Sequence, residues 1–105
     1  MALDRYPKLD PGDGEVVTEE LFVNEDALVK AFALGPGAEV APHEHADQTN
    51  AFHVLSGEVV VVQGDDAEET VDAPGVVVHD RGVPHGARNE SDDAAVFTAT
   101  MAPME

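Results

Sequence analysis

An all-β sandwich or barrel is the fold this sequence predicts, and three observations predict it. Clusters of Gly, Pro, Asn and Asp interrupt the 105 residues at short, near-regular intervals, as turn-forming residues do. The segments between them are short and rich in Val, Phe or Thr, and none carries ten or more residues of helical period. Val occurs in runs while Ile and Trp are absent, so the core must come largely from Val, Ala and Leu, a composition that favours strands.

The turn clusters fall at 10–14, 24–26, 35–37, 56–57, 64–66, 73–75, 82–84 and 89–93, leaving nine candidate strands. The first two are 15–22 and 27–34, the second ending at the Gly-Pro-Gly turn. Next come 39–45, which ends in two closely spaced histidines, and 50–55, which stops at Ser56-Gly57. Segment 58–63 holds four consecutive valines, Val59 to Val62, and is therefore apolar on both faces; it predicts cover from the core on one side and from a partner subunit on the other, hence a homodimer. Segments 68–71, 76–79, 85–89 and 94–100 complete the series. No internal repeat, low-complexity tract or linker divides the chain. The length predicts one domain over residues 1–105, with its barrel core at about residues 15–101.

Charge and cysteine count exclude several function classes. The chain has 22 acids against 5 bases, a net charge of −17, with no basic cluster to meet phosphate, so a nucleic-acid partner is not expected. No apolar stretch approaches the ~20 residues of a membrane span, and the first ten residues lack the pattern of a signal peptide, so a cytoplasmic location without membrane attachment is expected. With no cysteine there is no disulfide, thiol nucleophile or thiolate metal site. The acidic excess with two lysines and no Ile resembles the composition of extremely halophilic archaea. At about 1 M salt the screening length is only ~3 Å, and such a surface no longer repels itself. In dilute salt, clusters such as Asp65, Asp66, Glu68 and Glu69 are expected to raise one another's carboxyl pKa values.

The five histidines carry the chemistry. His43 and His45, two apart on a predicted strand, share a face with Ala41, opposite Val40, Pro42 and Glu44. Two aligned imidazoles suit a metal, but a third ligand must come from elsewhere. Gly37, five further residues, His43-Glu44-His45 and then Val54-Leu55-Ser56-Gly57 resemble the first motif of the cupin superfamily. Gly75, its Val run, Asp80-Arg81-Gly82-Val83-Pro84-His85 and Asn89 four residues on resemble the second. The resemblance covers roughly Gly35 to Thr100. It implies a single antiparallel jelly-roll barrel with His43, His45 and His85 as inward-facing ligands of one divalent metal ion, which could be Fe, Mn, Ni, Zn or Cu.

Two departures from the motifs bear on the site. Asn50 stands where the first motif carries Glu, so three neutral histidines remain, with a carboxamide oxygen of Asn50 or Gln48 as a possible fourth ligand. An ion held only by neutral groups keeps its full charge and is expected to attract an anionic ligand. In the second motif Asp80 replaces Pro and the spacing is one residue short, which alters the loop. By parity His53 faces away from the cavity, and His79, at a strand end, is read as structural. Arg81, Asn89 and Phe52 are candidate substrate contacts. For Asn89 a turn-tying role competes, for Arg81 and Arg88 pairing with acids, and Phe32, Phe52 and Phe97 are read as core.

Two classes of function follow. The first is a mononuclear metal-dependent enzyme acting on a small anionic molecule, with dioxygenase-like chemistry favoured and isomerase, decarboxylase or lyase chemistry as variants. The second is a non-catalytic cupin that binds a small molecule or metal, as a sensor or store. No catalytic side chain is identifiable, and no organic cofactor is expected.

Overall fold

The computed structural model describes residues 9–104. These residues form nine strands: β1 Val16–Val23, β2 Leu28–Leu34, β3 Glu39–His43, β4 Thr49–Ser56, β5 Glu58–Gln63, β6 Ala67–Asp72, β7 Gly75–His79, β8 His85–Arg88 and β9 Ala95–Ala102. They make two antiparallel sheets in the jelly-roll manner, one of five strands in the order β1-β2-β9-β4-β7 and one of four in the order β3-β8-β5-β6. No helix among the described residues is long and apolar enough to cross a membrane.

The turn residues anticipated from sequence do separate the strands. Gly57 joins β4 to β5 with φ +74°, and a Cβ there would lie 2.8 Å from the Ala94 carbonyl oxygen, so both conformation and space call for glycine. Between the sheets lies a core of Leu34, Ala38, Phe52, Val54, Val59, Val61, Ala87, Ala95, Phe97 and Ala99. Phe97 is its centre, stacked on Phe32 with ring centroids 5.1 Å apart and tilted against Phe52 at 4.8 Å. Small alanines beside large rings fill the space without Ile or Trp.

Two expectations need correction. The valine run of β5 predicts cover by a second subunit on its outer face, yet Val59, Val60 and Val61 are buried within this chain and Val62 is half-buried. Arg88 lies directly across from Val60 on β8 and reaches over β5 to form two parallel hydrogen bonds with Glu68 of β6, at 2.8 and 2.9 Å. Its long apolar stem and fixed head place it on the outer face beside Val60, so a charged side chain supplies part of the cover assigned to a partner. The other correction concerns β3, which ends at His43 instead of running to His45. It also slips register: Val40 pairs with Ala87 but His43 pairs with His85, so three steps on β3 match two on β8. This bulge falls at Ala41-Pro42, where proline has no N–H to give the ladder. It reverses the alternation, and Val40, expected on the opposite face from His43, lines the same cavity.

Candidate metal centre

The site is assembled where β3 ends and β8 begins. His43 and His85 are cross-strand partners, with ring centroids 4.7 Å apart. His45 lies two residues beyond β3, in a loop fixed when the Gly82 N–H donates to the His45 carbonyl at 2.9 Å. Its ring is 5.1 Å from that of His43 and 5.6 Å from that of His85. One ring nitrogen from each of the three lies within 4.8 Å of the others. The approach of β3 to β8 depends on Gly86, where a Cβ would stand 2.7 Å from the Val40 carbonyl oxygen and 3.0 Å from the Pro42 nitrogen.

Backbone contacts set the tautomers. Nδ1 of His43 donates to the Ala41 carbonyl at 3.0 Å, and Nδ1 of His85 donates to the Val83 carbonyl at 3.0 Å. In each neutral ring Nε2 is then the unprotonated nitrogen that carries the lone pair, the arrangement that metal-binding histidines use. Burial and the neighbouring His43 push the His45 pKa below its ordinary value. Burial also lowers that of His85, aided by His43 and His45 and opposed by its bond to Val83. Crowded imidazoles resist protonation, which keeps lone pairs available.

Asn50 on β4 is buried beside them. Its amide nitrogen is 3.1 Å from Nε2 of His85, and its Oδ1 is buried with no hydrogen-bond partner. Directly across from it on β7 is His79, fully buried and stacked on His85 with centroids 4.4 Å apart. The Gln63 amide bonds the Val78 carbonyl and also donates to Nδ1 of His79, both at 2.9 Å. Neutral His79 therefore carries its proton on Nε2, and that atom too is buried without a partner. Burial, with the nearby His85 and His43, lowers its pKa to about 4. The donor set fits a divalent ion: three imidazoles with exposed or exposable lone pairs and, next to them, an orphaned carboxamide oxygen.

The cavity in front of these groups has a volume of about 170 Å³. One wall is the five-stranded sheet, with Lys30, Phe32, Asn50, Phe52 and Phe97 among its residues; the other includes Val40, His43 and His45. No Asp or Glu lines it among the described residues. Of the remaining candidates, Phe52 lines the cavity, while Gln48 instead donates to Sδ of Met104 at 3.5 Å. Asn89 is buried in a turn, donating to the Leu34 and Asp93 carbonyls and accepting from Ser91, so its amide is fully used away from the cavity. Arg81 is exposed in the turn before β8 and is not among the lining residues, and His53 is exposed on the outer face. Sequence reading missed Lys30. Its signal was present, because Leu28, Lys30, Phe32 and Leu34 alternate on one face and only one of them is charged.

Comparisons place this geometry among known proteins. Residues 31–101 match the description of the cupin domain. No protein of curated function matches the sequence. Among solved structures, TT1209 from Thermus thermophilus is 31% identical, over 85% of this chain and 84% of that one, with a TM-score of 0.79. A protein with a double-stranded β-helix domain from Klebsiella pneumoniae is 27% identical over 92% and 84% of the two chains, with a TM-score of 0.85. A predicted oxalate decarboxylase from Thermotoga maritima is 25% identical over 86% and 82%, with a TM-score of 0.79.

Proposed function

The chain belongs to the cupin family, and on that premise we propose that it is a mononuclear metal-dependent enzyme acting on a small anionic molecule. The observation that carries this reading is the convergence of His43, His45 and His85 within 4.8 Å. His43 and His85 are held by backbone carbonyls in the tautomer that leaves Nε2 unprotonated. His43, His45 and His85 would hold the ion, Fe, Mn, Ni, Zn or Cu, and Asn50 could turn its amide to offer Oδ1 as a fourth ligand. When bound, such an ion supplies a Lewis-acid centre that stabilises negative charge on a substrate oxygen or sulfur.

The chain's own residues do the rest. Phe32, Phe52 and Phe97 exclude water from the cavity wall, and Asn50 orients His85 through its amide. The neutral ligand set leaves the ion's charge uncompensated, which favours an anionic ligand. The similarity to a predicted oxalate decarboxylase supports the same substrate class. Dioxygenase-like chemistry on an enolate or thiolate is the favoured reaction, with decarboxylase, isomerase or lyase chemistry as variants. A non-catalytic metal or small-molecule binder is the second reading, favoured by the absence of any carboxylate base among the described lining residues.

From length and acidic composition we infer one domain working in a salt-rich cytoplasm. We infer a homodimer through β7, an edge strand whose Val76 and Val78 are exposed, checked by light scattering at several concentrations. The function is tested by titrating cobalt into wild type and His85→Ala. Affinity is expected to fall by about 100-fold or more in the variant, with the far-ultraviolet dichroism of the barrel retained. Equal cobalt uptake by both proteins would remove the metal reading. Oxygen uptake by the iron-loaded protein across a panel of small acids then separates enzyme from binder.

A further inference from the structure

Lys30 is the one cation lining the cavity among the described residues. It sits on β2 between Leu28 and Phe32 on the inward face, and opposite it on β9 is Ala99, too small to fill the space above it. Its cross-strand neighbour on β1 is Glu20, the natural partner for an ordinary surface lysine. Among the described residues, however, the ion pairs are those of Arg88 with Glu68 and Glu90, and Lys30 makes none. Its ammonium lies over the Phe32 ring instead, 5.4 Å from the centroid, against the cavity wall. In a chain of net charge −17, where carboxylates outnumber bases by more than four to one, a lysine that forgoes them and faces an apolar cavity is out of place as a surface charge.

We propose that Lys30 is an anion anchor at the opposite wall from the three histidines, and that the cavity takes a small organic acid with an apolar body, its carboxylate on Lys30 and an oxygen of its other end at the histidine site. This deepens the metal-site reading and rests on it for the second contact only. The volume sets the size: cavities of about 150 Å³ accept a ligand as large as benzene, and the 170 Å³ here accommodates a similar body. The aromatic lining takes the hydrocarbon part, while Lys30 supplies a local positive charge that favours the approach of an anion to so acidic a molecule. A charge-assisted bond in this partly dry setting is stronger than its surface equivalent.

Succinate is a suitable probe, with a carboxylate at each end. Wild type, Lys30→Met and Lys30→Arg are first titrated with cobalt and then, cobalt-loaded, with succinate by calorimetry. Lys30→Met keeps the stem and loses the charge. Succinate affinity is expected to fall about tenfold or more in Lys30→Met and to recover in part in Lys30→Arg, with cobalt affinity changed less than about threefold in either. Cobalt binding with succinate affinity indifferent to position 30, or with no succinate binding at all, overturns the anchor and leaves the metal site standing. Failure of every protein to bind cobalt overturns the metal site alone. Succinate is then titrated into the metal-free proteins, where dependence on Lys30 upholds the anchor and indifference or lack of binding overturns it.

Discussion

Asn50 holds a buried carbonyl oxygen that nothing donates to, and its amide occupies the His85 nitrogen that a metal would need. Replacing it by glutamate puts a carboxylate at that spot and lowers the net charge of a loaded site by one. Asn50→Glu is expected to tighten binding of a hard ion such as Mn²⁺ by about tenfold and to weaken succinate, both read by calorimetry. If neither moves, the side chain at position 50 does not meet the ion. His79 makes a second prediction, about pH. Its pKa is about 4 in the folded chain against an ordinary 6.5, and those of His85 and His45 are also lowered. Below 6.5 the unfolded chain therefore takes up protons that the folded chain refuses, so stability is present in full above that value and is lost as pH falls toward 4. Denaturant midpoints of the metal-free protein should drop across this window, and His79→Phe should flatten the drop. A slope unchanged by that substitution would show that His79 does not contribute it.

At the scale of strands, the bulge at Ala41-Pro42 and the glycine facing it act together. Gly86→Ala places a methyl group 2.7 Å from the Val40 carbonyl oxygen, so β3 must back away from β8. A melt should show a loss of about 1–3 kcal/mol, as overpacking usually costs. Metal affinity should fall further than stability, because His43 and His85 are each other's cross-strand partners. An unchanged cobalt affinity would mean that the two strands are not pressed together there. The nine strands were legible because turn residues mark their ends and Val, Phe and Thr fill their middles. The convergence of His43, His45 and His85 was legible from the family motifs. The phase of β3 was not, since a bulge adds one residue to an alternation of two and no residue type spells it out. The cover over Val60 escaped for a related reason. It comes from Arg88, and which strand lies beside β5 depends on pairing 28 residues away, not on local sequence. Lys30 could have been found by parity alone.

For the whole molecule the governing quantity is charge. Melting temperature is expected to rise by several degrees between about 0.1 M and about 1 M KCl, as the screening length shortens from ~10 Å to ~3 Å and repulsion among the acids fades. A flat response at pH 7 would show that the acids are already paired or far enough apart. At Glu68 the balance differs from what clustering along the chain implies. Glu68 is held below its ordinary pKa by Arg88, whereas the carboxyl pushed up is Glu58, which shares a hydrogen bond and like charge with Asp72 across the β5–β6 pair. Salt weakens the first contact and relieves the second. The two walls of the cavity bear on a different property, time. His43 and His85 belong to the four-stranded sheet, and Lys30, Asn50 and Phe52 to the five-stranded one. A guest touching both walls is a strut across the gap between the sheets, and its binding opposes the motions that part them. Hydrogen exchange of the β3 and β8 amide protons is then expected to slow when the cavity is filled, which makes those protons the clock for that motion.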